Sequence, residues 1–206
     1  RPLSFSLDRF TAATAAEFGA RYTRVRAGFD VGFADAGASH AFRAAHEGVW
    51  MTVEADAAAR AATAAALDPK TVLQMGAGGE LPFEDHQFEV ALFAKAVLDG
   101  PRDRLEALVR EAHRVLQGGG CLMFTVEEAA RGDGRGWTAR AVYELLRDGF
   151  DVVGLRRPPW WRFGTAGRTL TVCAGRKNWR NRGTPIVGAA MPVSSAMLSP
   201  RARSKS

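Results

Sequence analysis

The chain has few cysteines and few tyrosines, and its last quarter has no acid at all. Only Cys121 and Cys173 occur among 206 residues, both inside apolar, strand-like runs. That excludes a disulfide-framed scaffold and points to a reducing compartment. No uncharged apolar run approaches the roughly 18 residues of a membrane-spanning helix. The uncharged segment Thr184–Pro200 is broken by Pro185 and Pro192. There is no Gly-x-Ser-x-Gly elbow and no phosphate loop ending in Lys-Ser/Thr. The four histidines, His40, His46, His86 and His113, lack metal-ligand spacing with a cysteine or an acid pair.

The net charge of +6 conceals a split. Residues 1–151 carry 17 Lys and Arg against all 22 Asp and Glu, a balance of −5; residues 152–206 carry 11 Lys and Arg and no acid. The basic isoelectric point therefore belongs to the end of the chain. There Arg156, Arg157, Arg162, Arg168, Arg176, Lys177, Arg180 and Arg182 are interleaved with Trp160, Trp161, Phe163 and Trp179. Cations beside flat aromatics suit single-stranded nucleic acid. The same composition fits tryptophans packed beneath the last strands with solvated arginines, or docking on an acidic protein surface.

Apolar patterning predicts alternating strands and helices. Strands are expected over 24–32, 48–54, 71–75, 88–93, 121–126, 150–155 and 169–174. Helices are expected over 11–18, 38–45, 55–67, 102–116 and 138–147. The helix over 102–116 has the strongest pattern, with Leu105, Leu108, Val109, Ala112, Val115 and Leu116 on one face. Gly118–Gly120 is expected to end it in left-handed conformations. Strands and helices alternating at this spacing imply βαβ units and a mostly parallel sheet. The boundaries drawn are a lead-in over 1–23, a domain over 24–177 and a basic irregular tail over 178–206.

Two strings carry a resemblance. Leu81-Pro82-Phe83-Glu84-Asp85-His86-Gln87-Phe88-Glu89-Val90 is followed, after a helix, by Glu111-Ala112-His113-Arg114-Val115-Leu116-Gln117-Gly118-Gly119-Gly120. With the ending Leu145–Val153 and Thr169–Lys177, they resemble the later strand units of class I S-adenosylmethionine-dependent methyltransferases, type 11-like. The likeness covers roughly residues 24–177. It implies a Rossmann-like α/β fold with seven strands, the last antiparallel.

The resemblance also implies where a cofactor would sit. The family's Asp-x-Gly-x-Gly-x-Gly loop matches Asp30-Val31-Gly32-Phe33-Ala34-Asp35-Ala36. Gly32 is kept, while Ala34 and Ala36 stand where the other glycines would. Forcing a left-handed conformation on alanine costs about 1–2 kcal/mol, and its Cβ intrudes on the ligand. Asp35 sets a charge where the cofactor's carboxylate would lie, or simply caps a helix. The acid that binds the ribose matches Glu54, which also reads as a helix-opening acid. The acid that bonds the adenine amino group is replaced by Ala77, with Glu80 nearby but out of register. A rival alignment of Val72–Gly79 with the first glycine loop leaves too little chain for the strands that should follow. His86, in a turn near the expected substrate face, reads as an ordinary loop residue or as an acid/base candidate.

The first function expected is a methyltransferase-like protein with weakened or lost S-adenosylmethionine binding. It would act as a structural or interaction subunit of a larger assembly, with RNA or an acidic protein surface against residues 156–206. The alternative is an active enzyme using S-adenosylmethionine on a small molecule or other acceptor. The expected setting is intracellular: cytoplasm, or the mitochondrial matrix if an import peptide has been removed.

Overall fold

The computed structural model describes residues 25–32, 43, 46–93, 101–129, 136–156 and 169–177. The expected helices over 11–18 and 38–45 lie outside the described residues, apart from helical Arg43, as do residues 33–37, Pro158–Trp161 and the tail. Seven strands form one sheet: β1 (Ala27–Val31), β2 (Val49–Glu54), β3 (Val72–Gln74), β4 (Phe88–Phe93), β5 (Leu116–Glu127), β6 (Phe150–Arg156) and β7 (Thr169–Arg176). Their order is β3-β2-β1-β4-β5-β7-β6. All neighbouring pairs are parallel except those made by β7, which is antiparallel to both β5 and β6. This is the Rossmann-like fold expected, with seven strands and an antiparallel last one.

The described residues include three α-helices, α1 (Ala57–Ala66), α2 (Arg102–Val115) and α3 (Ala139–Leu146), and a short 3-10 turn, Pro69–Thr71. Eight of the ten residues of α1 are alanine, the strongest helix former. Asp56 caps it by accepting from Ala59 N at 2.8 Å. Thr138 caps α3 in the same way through Ala141 N at 3.1 Å. The stripe predicted for α2 is the face that is buried: Leu105, Leu108, Val109, Ala112 and Val115.

Side chains alternate across the strands, so the sheet has a core on each face. Phe29, Val53, Ala91, Phe93, Leu122 and Phe124 join α2 and α3 in the larger core. Val25, Val90, Leu92, Met123 and both cysteines form the smaller one, against which Trp50 packs. Cys121 and Cys173 are buried thiols facing each other across β5 and β7, with sulfurs 3.2 Å apart.

The end of α2 differs from expectation. The helix stops at Val115, and Leu116 is already extended. The glycines lie instead at the start of β5, where the β4–β5 ladder slips between the Phe88↔Leu116 and Val90↔Cys121 pairs. Only Gly119 is left-handed among the three, with φ 84°. They therefore accommodate a register shift between strands.

The two recognition strings meet at the base of the sheet. Arg114 donates to the carbonyls of Leu81 at 3.0 Å and Phe83 at 2.7 Å, and to Asp85 at 3.0 Å. Glu111 accepts from Arg114 Nε at 3.0 Å and Nη2 at 2.8 Å, and from Leu81 N at 2.8 Å. The Glu-x-x-Arg pair on α2 thus clamps the Leu-Pro-Phe-x-Asp loop that leads into β4. The Arg114 guanidinium holds the Glu111 carboxyl below its usual range, and Glu111 and Asp85 push Arg114 up in turn.

Candidate functional site at the C-terminal edge of the sheet

The strand order reverses direction at β1: the chain proceeds outward to β2 and β3 on one side, and to β4 and β5 on the other. In an open α/β sheet, that reversal opens a crevice at the carboxyl ends of the strands, where ligands bind. The residues at this edge are Asp30 and Gly32 from β1 and its exit, Glu54 ending β2, and the turn after β3.

Backbone hydrogen bonds join these three exits side by side. Gly32 N donates to Val53 O at 3.0 Å, and Met75 N donates to Glu54 O at 2.8 Å. Gly32 has φ 78°, a conformation in which a Cβ is strained. The turn after β3 is closed by Gly76 N to Glu80 O at 2.9 Å and Gly79 N to Gly76 O at 3.0 Å. The edge position of β3 also excludes Val72–Gly79 as the first glycine loop, which should leave a central strand.

Asp30 is fully buried. Arg43 Nη2 lies 2.8 Å from its Oδ2, an ion pair rather than an aligned hydrogen bond. The same Nη2 donates to Thr52 Oγ1 at 2.6 Å and Met51 O at 3.2 Å, and the guanidinium lies 5.5 Å from the Trp50 ring centre. Burial pushes the Asp30 carboxyl up to about 6, against the opposing pull of Arg43. Desolvation therefore outweighs the ion pair here. Because Asp30 and Thr52 are register partners on adjacent strands, both side chains leave the same face. Asp30 was expected here from the resemblance; Arg43, followed by two alanines, carries no motif.

Glu54 is also buried, and its Oε1 accepts from Thr63 Oγ1 on α1 at 2.6 Å. Thr63 was missed as well; it is the buried residue of α1. Ala77 is exposed in the turn after β3 and brings no side-chain acceptor. Glu80 folds back over this turn and accepts from Gly78 N through Oε2 at 3.0 Å. Ala34 lies outside the described residues, together with Phe33 and Asp35–Gly37.

His86 is not at this edge. It precedes β4, so it lies at the opposite, N-terminal end of the strands, with His86 N bonded to Arg114 O at 3.0 Å. Its backbone is left-handed, φ 59°. Arg176 donates to Leu116 O and contacts His86 Nδ1. Burial, Arg176 and His86 push the His113 imidazole below its usual range. Of the basic C-terminal set, only Arg176 and Lys177 have described side chains. Lys177 donates to Arg147 O and lies 3.9 Å from Asp151. Among the described residues there is no cluster of metal-ligating side chains, and no helix long and apolar enough to cross a membrane.

Residues 29–124 match the family model described as "Methyltransferase domain". The match begins at Phe29, in β1. Among solved structures, the chain is similar to Burkholderia thailandensis 1,6-didemethyltoxoflavin-N1-methyltransferase, solved with bound 1,6-didemethyltoxoflavin and S-adenosylhomocysteine. Identity is 18%, with 82% of this chain and 79% of that one covered and a TM-score of 0.60. It is similar to the N-methyltransferase NodS of Bradyrhizobium japonicum in complex with S-adenosylhomocysteine, at 14% identity, 82% and 87% coverage and TM-score 0.60. The [4+2]-cyclase SpnF is similar too, at 18% identity, 82% and 80% coverage and TM-score 0.63. At these identities the likeness is one of fold. No curated protein matches the chain at a significant level.

Proposed function

We propose, from the premise that the chain belongs to the class I methyltransferase family, that it binds S-adenosylmethionine at the C-terminal edge of β1–β3 and transfers its methyl group to an acceptor. One observation carries this reading: a left-handed Gly32 is hydrogen-bonded to the strand end that presents Glu54. A tight glycine turn beside a carboxylate on the neighbouring strand is what a nucleoside cofactor needs. The turn lets backbone approach the ligand, and the carboxylate accepts from ribose hydroxyls. The expectation of weakened or lost cofactor binding draws no support from the similarities, two of which are to complexes with the cofactor's product.

Gly32 and Glu54 are the residues that would hold the cofactor, with Asp30 buried behind them. When bound, it supplies an electrophilic methyl group. The chain's own part is positional. Gly32 keeps the first turn open, and Asp30 with Arg43 and Thr52 fixes the end of β1. Thr63 holds one oxygen of Glu54. Orienting a nucleophile against a reactive group is by itself worth several kcal/mol of a barrier. The methylated acceptor belongs to a class the family leaves open, since sites rather than folds determine chemistry.

Calorimetry with S-adenosylmethionine tests the reading. Micromolar binding that weakens at least about tenfold in Glu54→Ala supports it, as one or two lost charged hydrogen bonds would. No heat at millimolar cofactor overturns it.

A second reading concerns partners and rests on the charge split. The acid-free stretch 152–206 offers an anionic partner 11 Lys and Arg. We propose RNA as that partner. If residues 178–206 make the contact, their removal abolishes salt-dependent RNA binding, whereas unchanged binding overturns this reading.

A further inference from the structure

We infer that Cys121 and Cys173 are a cross-linking site. The chain closes a disulfide between β5 and β7 when it folds in the presence of glutathione disulfide, and folds with two thiols when no such oxidant is present.

These two cysteines are all the chain has, and the fold brings both to one point although 52 residues separate them. β5 and β7 are antiparallel neighbours, with Met123↔Cys173 and Cys121↔Gly175 in register. Cys121 and Met123 are two apart on β5 and leave the same face, so Cys121 and Cys173 are diagonal neighbours on that face. Gly175, opposite Cys121, has no side chain, which leaves Cys121 room to lean along the ladder towards Cys173. The sulfurs lie 3.2 Å apart, against about 2.05 Å in a disulfide. Rotation of two short side chains is enough to close that gap.

Burial decides when the bond forms. Both cysteines are fully buried, in the smaller core with Val25, Val90 and Leu92. Thiol–disulfide exchange needs a thiolate in contact with the reagent's sulfur, and in the folded chain a reagent the size of glutathione reaches neither cysteine. The reaction therefore belongs to the chain before β7 has docked on β5. One cysteine, having lost its proton to water, attacks glutathione disulfide. A mixed disulfide forms, the glutathione S–S bond breaks, and one glutathione leaves as thiolate. As β7 pairs with β5, the second cysteine, likewise deprotonated, attacks the mixed disulfide and expels the other glutathione. Two cysteine thiols are oxidised to one disulfide, and glutathione disulfide is reduced to two thiols, which take up the two protons. The bond closes a loop that contains α3 and β6. It restricts the unfolded chain and so stabilises the folded one.

The test starts from the full chain, unfolded in guanidinium with a reductant. It is refolded either in reduced glutathione or in a mixture of reduced and oxidised glutathione. The products are alkylated with iodoacetamide under denaturing conditions, and their masses are measured. Refolding in reduced glutathione should give a chain with two alkyl groups. Refolding in the mixture should give a chain with none, lighter than the unalkylated dithiol by two hydrogens and melting roughly 5–15 °C higher. In Cys173→Ala, the melting difference between the two conditions should disappear. Folded dithiol protein placed in the mixture should oxidise far more slowly than the refolding chain, and the folded disulfide should resist dithiothreitol until denaturant is added. Alkylatable cysteines, glutathione adducts or linked dimers as the main product of refolding in the mixture would overturn the assignment. So would a cross-linked chain that melts no higher than the dithiol, a melting difference that persists in Cys173→Ala, or a folded dithiol that oxidises as fast as the refolding chain.

Discussion

Arg114 on α2 holds the loop before β4 through Leu81: its Nη2 donates to Leu81 O at 3.0 Å, while Glu111, bonded to the same nitrogen, accepts from Leu81 N at 2.8 Å. One residue thus has both backbone groups satisfied by one ion pair. The loop has no strand partner for these groups, and a buried polar group left unpaired is costly.

Replacing Arg114 with Met keeps the stem but leaves Glu111 and two loop carbonyls without their donor. A loss of about 2–3 kcal/mol in urea unfolding is expected, in the range for charge-assisted hydrogen bonds. Glu111→Gln should cost less, because its amide oxygen can still accept. A loss below about 0.5 kcal/mol for Arg114→Met would show the clamp to be an ordinary surface ion pair.

Asp30 supplies a pH dependence with a definite sign. Its folded pKa is raised to about 6 from 3.8. The folded state therefore binds more protons than the unfolded state between these values, and this group's contribution makes stability fall as pH rises through that window. The effect is absent below about 3.8 and complete above about 6. The difference in unfolding free energy between wild type and Asp30→Asn, followed from pH 4 to 7, should show this fall, roughly 2–3 kcal/mol in total. A difference independent of pH would place the Asp30 pKa near its unfolded value.

Gly32→Ala tests the turn leaving β1. At φ 78° the new Cβ is strained, so a stability loss of about 1–2 kcal/mol is expected. Affinity for S-adenosylhomocysteine should fall as well, because the strained turn relaxes away from the end of β2. Unchanged affinity would show that backbone at position 32 does not shape the site.

The scaffold was legible in the sequence because its signals are periodic or local. The apolar stripe of α2, the alanine run of α1 and the strand of Phe88–Phe93 each declare themselves within a dozen residues. The site was legible only in its motif residues. Asp30, Gly32 and Glu54 were singled out by the resemblance, but Arg43, which pairs with Asp30, and Thr63, which donates to Glu54, come from elsewhere in the chain and have no spacing to betray them. The glycines after α2 misled for a similar reason: they answer to the ladder with β4, a long-range pairing, and not to the helix beside them. His86 misled because its loop follows the exit of β3 yet ends at the entrance to β4, a full strand length away.

The central claim is that the exits of β1, β2 and β3 together hold a nucleoside cofactor. The most direct measurement is the amide NMR spectrum of the isotope-labelled protein titrated with S-adenosylhomocysteine. The account predicts saturable shifts at Gly32, Glu54 and Gly76–Glu80, with the opposite end of the sheet around His86 and Arg176 unmoved. Saturable shifts confined to that opposite end, or none at millimolar ligand, would contradict it.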